Sequence, residues 1–111
     1  MANVFKSKTF TGSATAANTS MTVYTVPSAT TAIVVGLNLA NISDSLTTIS
    51  VQVDKVTAND VYIAKNVPIP TGGSLELMTG NKYVLETGDI IKVTSTVANS
   101  LDSMLSVMEQ S

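Results

Sequence analysis

The chain has 111 residues, a formal charge of −2 and only 13% charged residues. That length is one domain, able to bury roughly two-thirds of its unfolded surface in a single core. All six basic residues are lysines and there is no His, Cys, Arg or Trp, which excludes disulfides, Cys/His metal centres and His- or Cys-based catalysis, and leaves no basic patch for a phosphate backbone.

The predicted elements follow from a period of two. Residues 1–20 are polar and small apart from Phe5 and Phe10; they read as an N-terminal arm that orders on a neighbour, or as an edge strand over 6–15, ahead of a β-sandwich domain over 21–111. No apolar run follows the first lysines, so no secretory signal is expected. A strand is predicted over 21–26, stopped by Pro27, and Ser28-Ala29-Thr30 reads as a turn. The next strand, 32–42, sets Ile33, Val35, Leu37 and Leu39 on one face and Ala32, Val34, Gly36, Asn38 and Ala40 on the other. This is the most apolar run of the chain, and it is about half the length of a membrane span.

Residues 41–45 form a connection rich in side chains that bond their own backbone. The clearest strand is 47–56, where Ile49, Val51 and Val53 alternate with Ser50, Gln52 and Asp54, giving one buried and one wet face. After a turn at 57–60 comes a strand over 61–67 with Val61, Ile63 and Val67 on one face. The segment 68–73, with Pro68, Pro70, Gly72 and Gly73, is predicted to leave the sheet, because proline cannot donate to a ladder. Short strands follow at 74–78 and 83–85, then a tight turn at Thr87-Gly88-Asp89 into a strand over 90–96. The last segment, 101–109, reads better as a strand than as a helix, because Ser103 and Ser106 are weak helix formers in a β context. As a strand it turns Leu101, Leu105 and Val107 inward and Met104 and Met108 outward; another register would bury the methionines. Eight to nine short strands at this spacing predict an all-β fold, an antiparallel β-sandwich of jelly-roll or immunoglobulin-like type.

Little in the sequence points to chemistry. The carboxylates sit singly; Asp54 with Asp60, and Glu86 with Asp89, flank turns and read as solubilising rather than as an acid–base pair. Asp44, Asp54, Asp60 and Asp102 match no calcium loop, and Gly72-Gly73 lacks the lysine and helix of a phosphate loop. Neither a cofactor nor a metal is expected, and no enzymatic activity. Asn18-Thr19-Ser20 and Asn41-Ile42-Ser43 read as chance glycosylation motifs in a Ser- and Thr-rich chain. Tyr24, Tyr62 and Tyr83 read as core-margin strand residues, and with no Trp they make a poor sugar platform, which disfavours a carbohydrate-binding or adhesin module. Met104 and Met108 are different: an exposed apolar row marks a contact.

The runs Val26-Pro27-Ser28-Ala29-Thr30-Thr31-Ala32-Ile33-Val34-Val35, Val67-Pro68-Ile69-Pro70-Thr71-Gly72-Gly73-Ser74-Leu75 and Tyr83-Val84-Leu85-Glu86-Thr87-Gly88-Asp89-Ile90-Ile91-Lys92-Val93, with Asn41 between the first two, resemble the small β-sandwich virion proteins of tailed bacteriophages over residues 21–109. The resemblance implies a structural protein of the capsid, neck or tail, made in the host cytoplasm and built into the virion in many copies. Its partners would be other virion proteins, the major capsid protein first among them, with no nucleic acid and no membrane. A capsid decoration or cement protein is the leading expectation; a neck, connector, tail or baseplate ring is the alternative. The chain itself adds a homo-oligomer, a trimer, in which Phe5 and Phe10 anchor the arm on a neighbour. Candidate interface residues are therefore Phe5, Phe10, Met104 and Met108.

Overall fold

A computed structural model describes residues 3–10, 17–57, 59–77 and 82–110. Among them are nine strands and no helix: β1 (Asn3–Phe10), β2 (Met21–Thr25), β3 (Thr31–Asn41), β4 (Thr47–Asp54), β5 (Val61–Ile69), β6 (Ser74–Glu76), β7 (Tyr83–Leu85), β8 (Ile90–Ser95) and β9 (Leu101–Gln110). They make two antiparallel sheets facing each other, as the alternation predicts. One has the order β1-β9-β3-β6, with β7 sharing the β6 edge of β3; the other has the order β2-β8-β4-β5. The first and last strands of the chain are thus neighbours, paired from Asn3 opposite Gln110 to Phe10 opposite Ser103 without a break in register. The predicted arm or edge strand contributes β1, which begins three residues before the 6–15 expected, and residues 11–16 lie outside the described residues.

The core is the set of inward positions that a period of two dictates. Ile49, Val51 and Val53 of β4, Ile91 and Val93 of β8, and Leu101, Leu105 and Val107 of β9 are all buried. The final segment is therefore a strand with its methionines on the outer side. Three expectations are corrected. In β3 the buried residues are Ala32, Val34, Leu37 and Leu39, not Ile33 and Val35, because the register against β9 shifts between Val34 and Gly36. The extra residue of this bulge, Val35, reverses the parity of everything before it. In β5, Ile63 and Val67 are partly buried, but Val61 is exposed although it pairs with buried Val53, because it begins an edge strand. Nor does the chain leave the sheet at Pro68: Pro68 pairs with Thr48 and Ile69 with Thr47. β5 is an edge strand, so the missing N–H of proline costs no ladder bond there, and Ile69 reaches the core.

Each end of the sandwich is closed by a polar side chain. At one end, buried Asn41 donates from Nδ2 to the carbonyls of Ser45 (2.8 Å) and Ile69 (2.9 Å) and accepts the Ser43 N–H (2.9 Å) on Oδ1. All of its amide is used inside the fold, which accounts for Asn41-Ile42-Ser43 without glycosylation. At the other end, buried Asp89 accepts the backbone N–H groups of Val56 (3.0 Å) and Glu86 (2.8 Å) and binds the Lys55 ammonium. The turn feeding Asp89 needs glycine: Gly88 has φ of 88°, and a Cβ there would lie 2.7 Å from Val56 Cγ2.

Candidate functional site

The two outer faces of the sandwich differ in chemistry. On the four-stranded sheet the outward positions of β4 and β8 are Thr48, Ser50, Gln52, Asp54, Ile90, Lys92 and Thr94, and Lys92 Nζ bonds Asp54 at 2.7 Å while Gln52 Nε2 donates to Asp54 at 2.6 Å. Hydroxyls, amides and a satisfied ion pair dominate this face, with Ile90 of β8 and Tyr62 of β5 as its apolar members, so it is the more hydrated of the two.

On the five-stranded sheet, strand register assembles an apolar row. Phe5 of β1 lies opposite Met108 of β9, Met108 opposite Ile33 of β3, and Ile33 opposite Val84 of β7. Directly paired side chains on one face touch or nearly touch, so four strands contribute one continuous stripe. Phe5 is 74% exposed, Val84 62% and, two rows along β9, Met104 51%. The outward strand positions of this sheet carry two carboxylates, Glu76 and Asp102, and no lysine. Of the expected interface residues, the structure brings Phe5 and Met108 side by side and sets Met104 on the same face, between Thr9 and Asn38. Phe10 occupies the last position of β1, opposite Ser103; its side chain lies outside the described residues.

Ile33 and Val84 were not legible as members of this surface. The bulge at Val35 sends Ile33 outward against simple alternation, and a strand of three residues around Val84 has no period to read. The outward register of Met104 and Met108, by contrast, follows from Leu101, Leu105 and Val107 being buried.

Beside β1, a carboxylate bridges the two sheets. Glu109 of β9 is buried, accepts the Tyr24 hydroxyl from β2 across the sandwich, and pairs with Lys6 of β1 at 2.9 Å. The Tyr24 hydroxyl and the Lys6 ammonium outweigh burial and hold the Glu109 carboxyl below its usual range. Burial, then the hydrogen bond to Glu109, pushes the Tyr24 hydroxyl above its ordinary value. Tyr24 is thus a buried inter-sheet tie, deeper than the core margin expected for it. For Asp89, burial opposes the charge, but Lys55 and two backbone N–H groups overcome it and keep the carboxyl below the usual range. The carboxylates flanking the turns are not set up as an acid–base pair: Lys55 lies between Asp89 and Glu86, 3.5 Å from the latter, and Asp60 accepts the Lys55 N–H at 3.0 Å.

The chain matches no protein-family model and no curated protein sequence. Its fold is similar to that of a chain in the acidic stable capsid structure of Helicobacter pylori bacteriophage KHP30, with a TM-score of 0.55 and 17% sequence identity over 98% of this chain and 87% of that one. At that identity the likeness is one of fold, and it extends over both sheets.

Proposed function

We propose that this chain is a non-enzymatic virion structural protein of a bacteriophage, a head decoration or cement protein that binds the lattice of major capsid protein. The observation that carries the reading is the fold likeness to a capsid chain along 98% of the sequence. The outer face of the five-stranded sheet is the docking surface, with Phe5, Ile33, Val84, Met104 and Met108 as its apolar contacts. An exposed apolar stripe on one broad face, opposite a hydrated face on the other, fits a protein that is covered on one side and wet on the other. The molecule measures 45 × 25 × 25 Å, so a broad face exceeds the roughly 800 Å² that each partner gives to a standard interface. Copies on neighbouring lattice sites associate with one another as a homo-oligomer.

The test is cosedimentation with phage heads that lack the protein. Wild-type chain and Thr94→Lys, altered on the hydrated face, are expected to bind in hundreds of copies per head, and Met104→Lys to bind at least about tenfold more weakly, with no change in melting temperature. Saturation at about a dozen copies would favour a neck or tail ring over decoration. Equal binding of Met104→Lys and Thr94→Lys would remove the five-stranded face from the interface.

A further inference from the structure

Four of the five sheet-edge strands are short or interrupted by a register shift or a proline, whereas β1 is guarded only by the charges of Lys6 and Lys8. β2 has five residues, a register shift between Thr22 and Tyr24, and Pro27 after it. β5 has two register shifts, Pro68, and Asn66 at a φ of 55°. β6 and β7 have three residues each. β1 has eight residues, no proline and an unbroken register along β9, and no other described strand pairs with it, so among the described residues its other edge presents a straight row of backbone N–H and C=O groups. Edges of that kind accept another strand.

Lys6 and Lys8 decide which strand. They occupy alternate positions of β1, on the side opposite Phe5, above a cavity of about 210 Å³ lined also by Val23, Thr25, Pro27 and Glu109. Lys6 is paired with Glu109; Lys8 has no ion-pair partner among the described residues. In a two-fold antiparallel pairing of β1 with a second β1, side chains directly opposite share a face. Registers centred on Lys6, Ser7 or Lys8 then set lysine against lysine, which is unfavourable. A strand with carboxylates at those positions meets the opposite charge instead, and the cavity beneath gives its side chains room.

We propose that the free edge of β1 binds an extended segment of another protein by strand addition, with acidic side chains over Lys6 and Lys8 and apolar side chains continuing the row that ends at Phe5. Backbone hydrogen bonds supply the pairing, and the two lysines supply the selection. The pairing groups are the backbone edge of β1, whereas the broad face is made of side chains, and the two adjoin at Phe5.

The full chain is titrated with three short peptides: one alternating valine and glutamate, one alternating valine and lysine, and the first with a central proline. The glutamate peptide is expected to bind at least about tenfold tighter than the lysine peptide, to protect β1 amides from hydrogen exchange, and to lose binding with proline, which cannot complete the ladder. Lys8→Glu is expected to reverse the preference between the first two. Equal binding of glutamate and lysine peptides, binding of none, or protection away from β1 would overturn the proposal. So would a dimer in sedimentation that is held by β1 and lost on its deletion, since the edge would then pair with itself. Because no phage head is involved, the outcome is separate from that of the decoration test.

Discussion

Asp89 shows how much one side chain can organise when burial and hydrogen bonding act on it together. Its carboxylate ties the β4–β5 connection at Lys55 and Val56 to the turn before β8, and an ion taken out of water in this way is stabilising only while its partners remain. The sign of its pH dependence follows. Asp89 and Glu109 both have carboxyls held below their ordinary values of 3.8 and 4.5, so the stability they contribute is present above those values and is lost as pH falls through the lower folded ones. Asp89→Asn is expected to be less stable at neutral pH by about 3 kcal/mol, and its melting temperature should fall less steeply than that of the wild type as pH drops below about 4. Melting curves of both chains between neutral and strongly acidic pH check this; parallel slopes would mean that Asp89 does not titrate in the fold. The sequence marked Asp89 only as part of a turn, since the lysine that neutralises it lies 34 residues away.

β3 illustrates both the reach of periodicity and its failure. From Gly36 onward the alternation places Leu37 and Leu39 in the core as expected, and before it the assignment is inverted, because Val35 is a bulge residue against β9. Nothing local distinguishes Val34 from Val35; the bulge exists because Ala32, Val34, Leu37 and Leu39 must all face the opposite sheet. Deleting one of these two valines leaves Ala32, Val34, Leu37 and Leu39 at alternate positions, so it is expected to cost only about 1–2 kcal/mol. Deleting Ser106 from β9, which keeps an unbroken register with β1, throws the preceding or following half of that strand to the wrong face and is expected to unfold the chain. Chemical denaturation of the two deletion variants compares them directly, and equal losses would refute the bulge as the cause of the inversion. Pro68 carries the same lesson: a proline reads as an exit from the sheet, and only the place of β5 at an edge makes it tolerable.

At the scale of the molecule, β1 covers the edge of β9 and supplies Lys6 to Glu109. Removing residues 2–10 is therefore expected to leave both sheets folded, lower the melting temperature, and release the long regular edge of β9, seen as self-association in sedimentation at concentrations where the full chain is monodisperse. A truncated chain that stays as soluble and as stable as the whole would show that β1 contributes nothing to the sandwich. The all-β class, the eight to nine strands with their places along the chain and the inward face of β4 were determined by the sequence alone, because a period of two is a local property that any half-buried strand must obey; the same period offered the outward methionines as one of two registers. The tertiary structure decided the bulge in β3, the strand role of Pro68, the ties of Asp89 and Glu109, and the joining of Phe5, Met108, Ile33 and Val84 into one stripe. Those features depend on which strands become neighbours, and that is set by burying both sheets against each other across residues far apart in the chain.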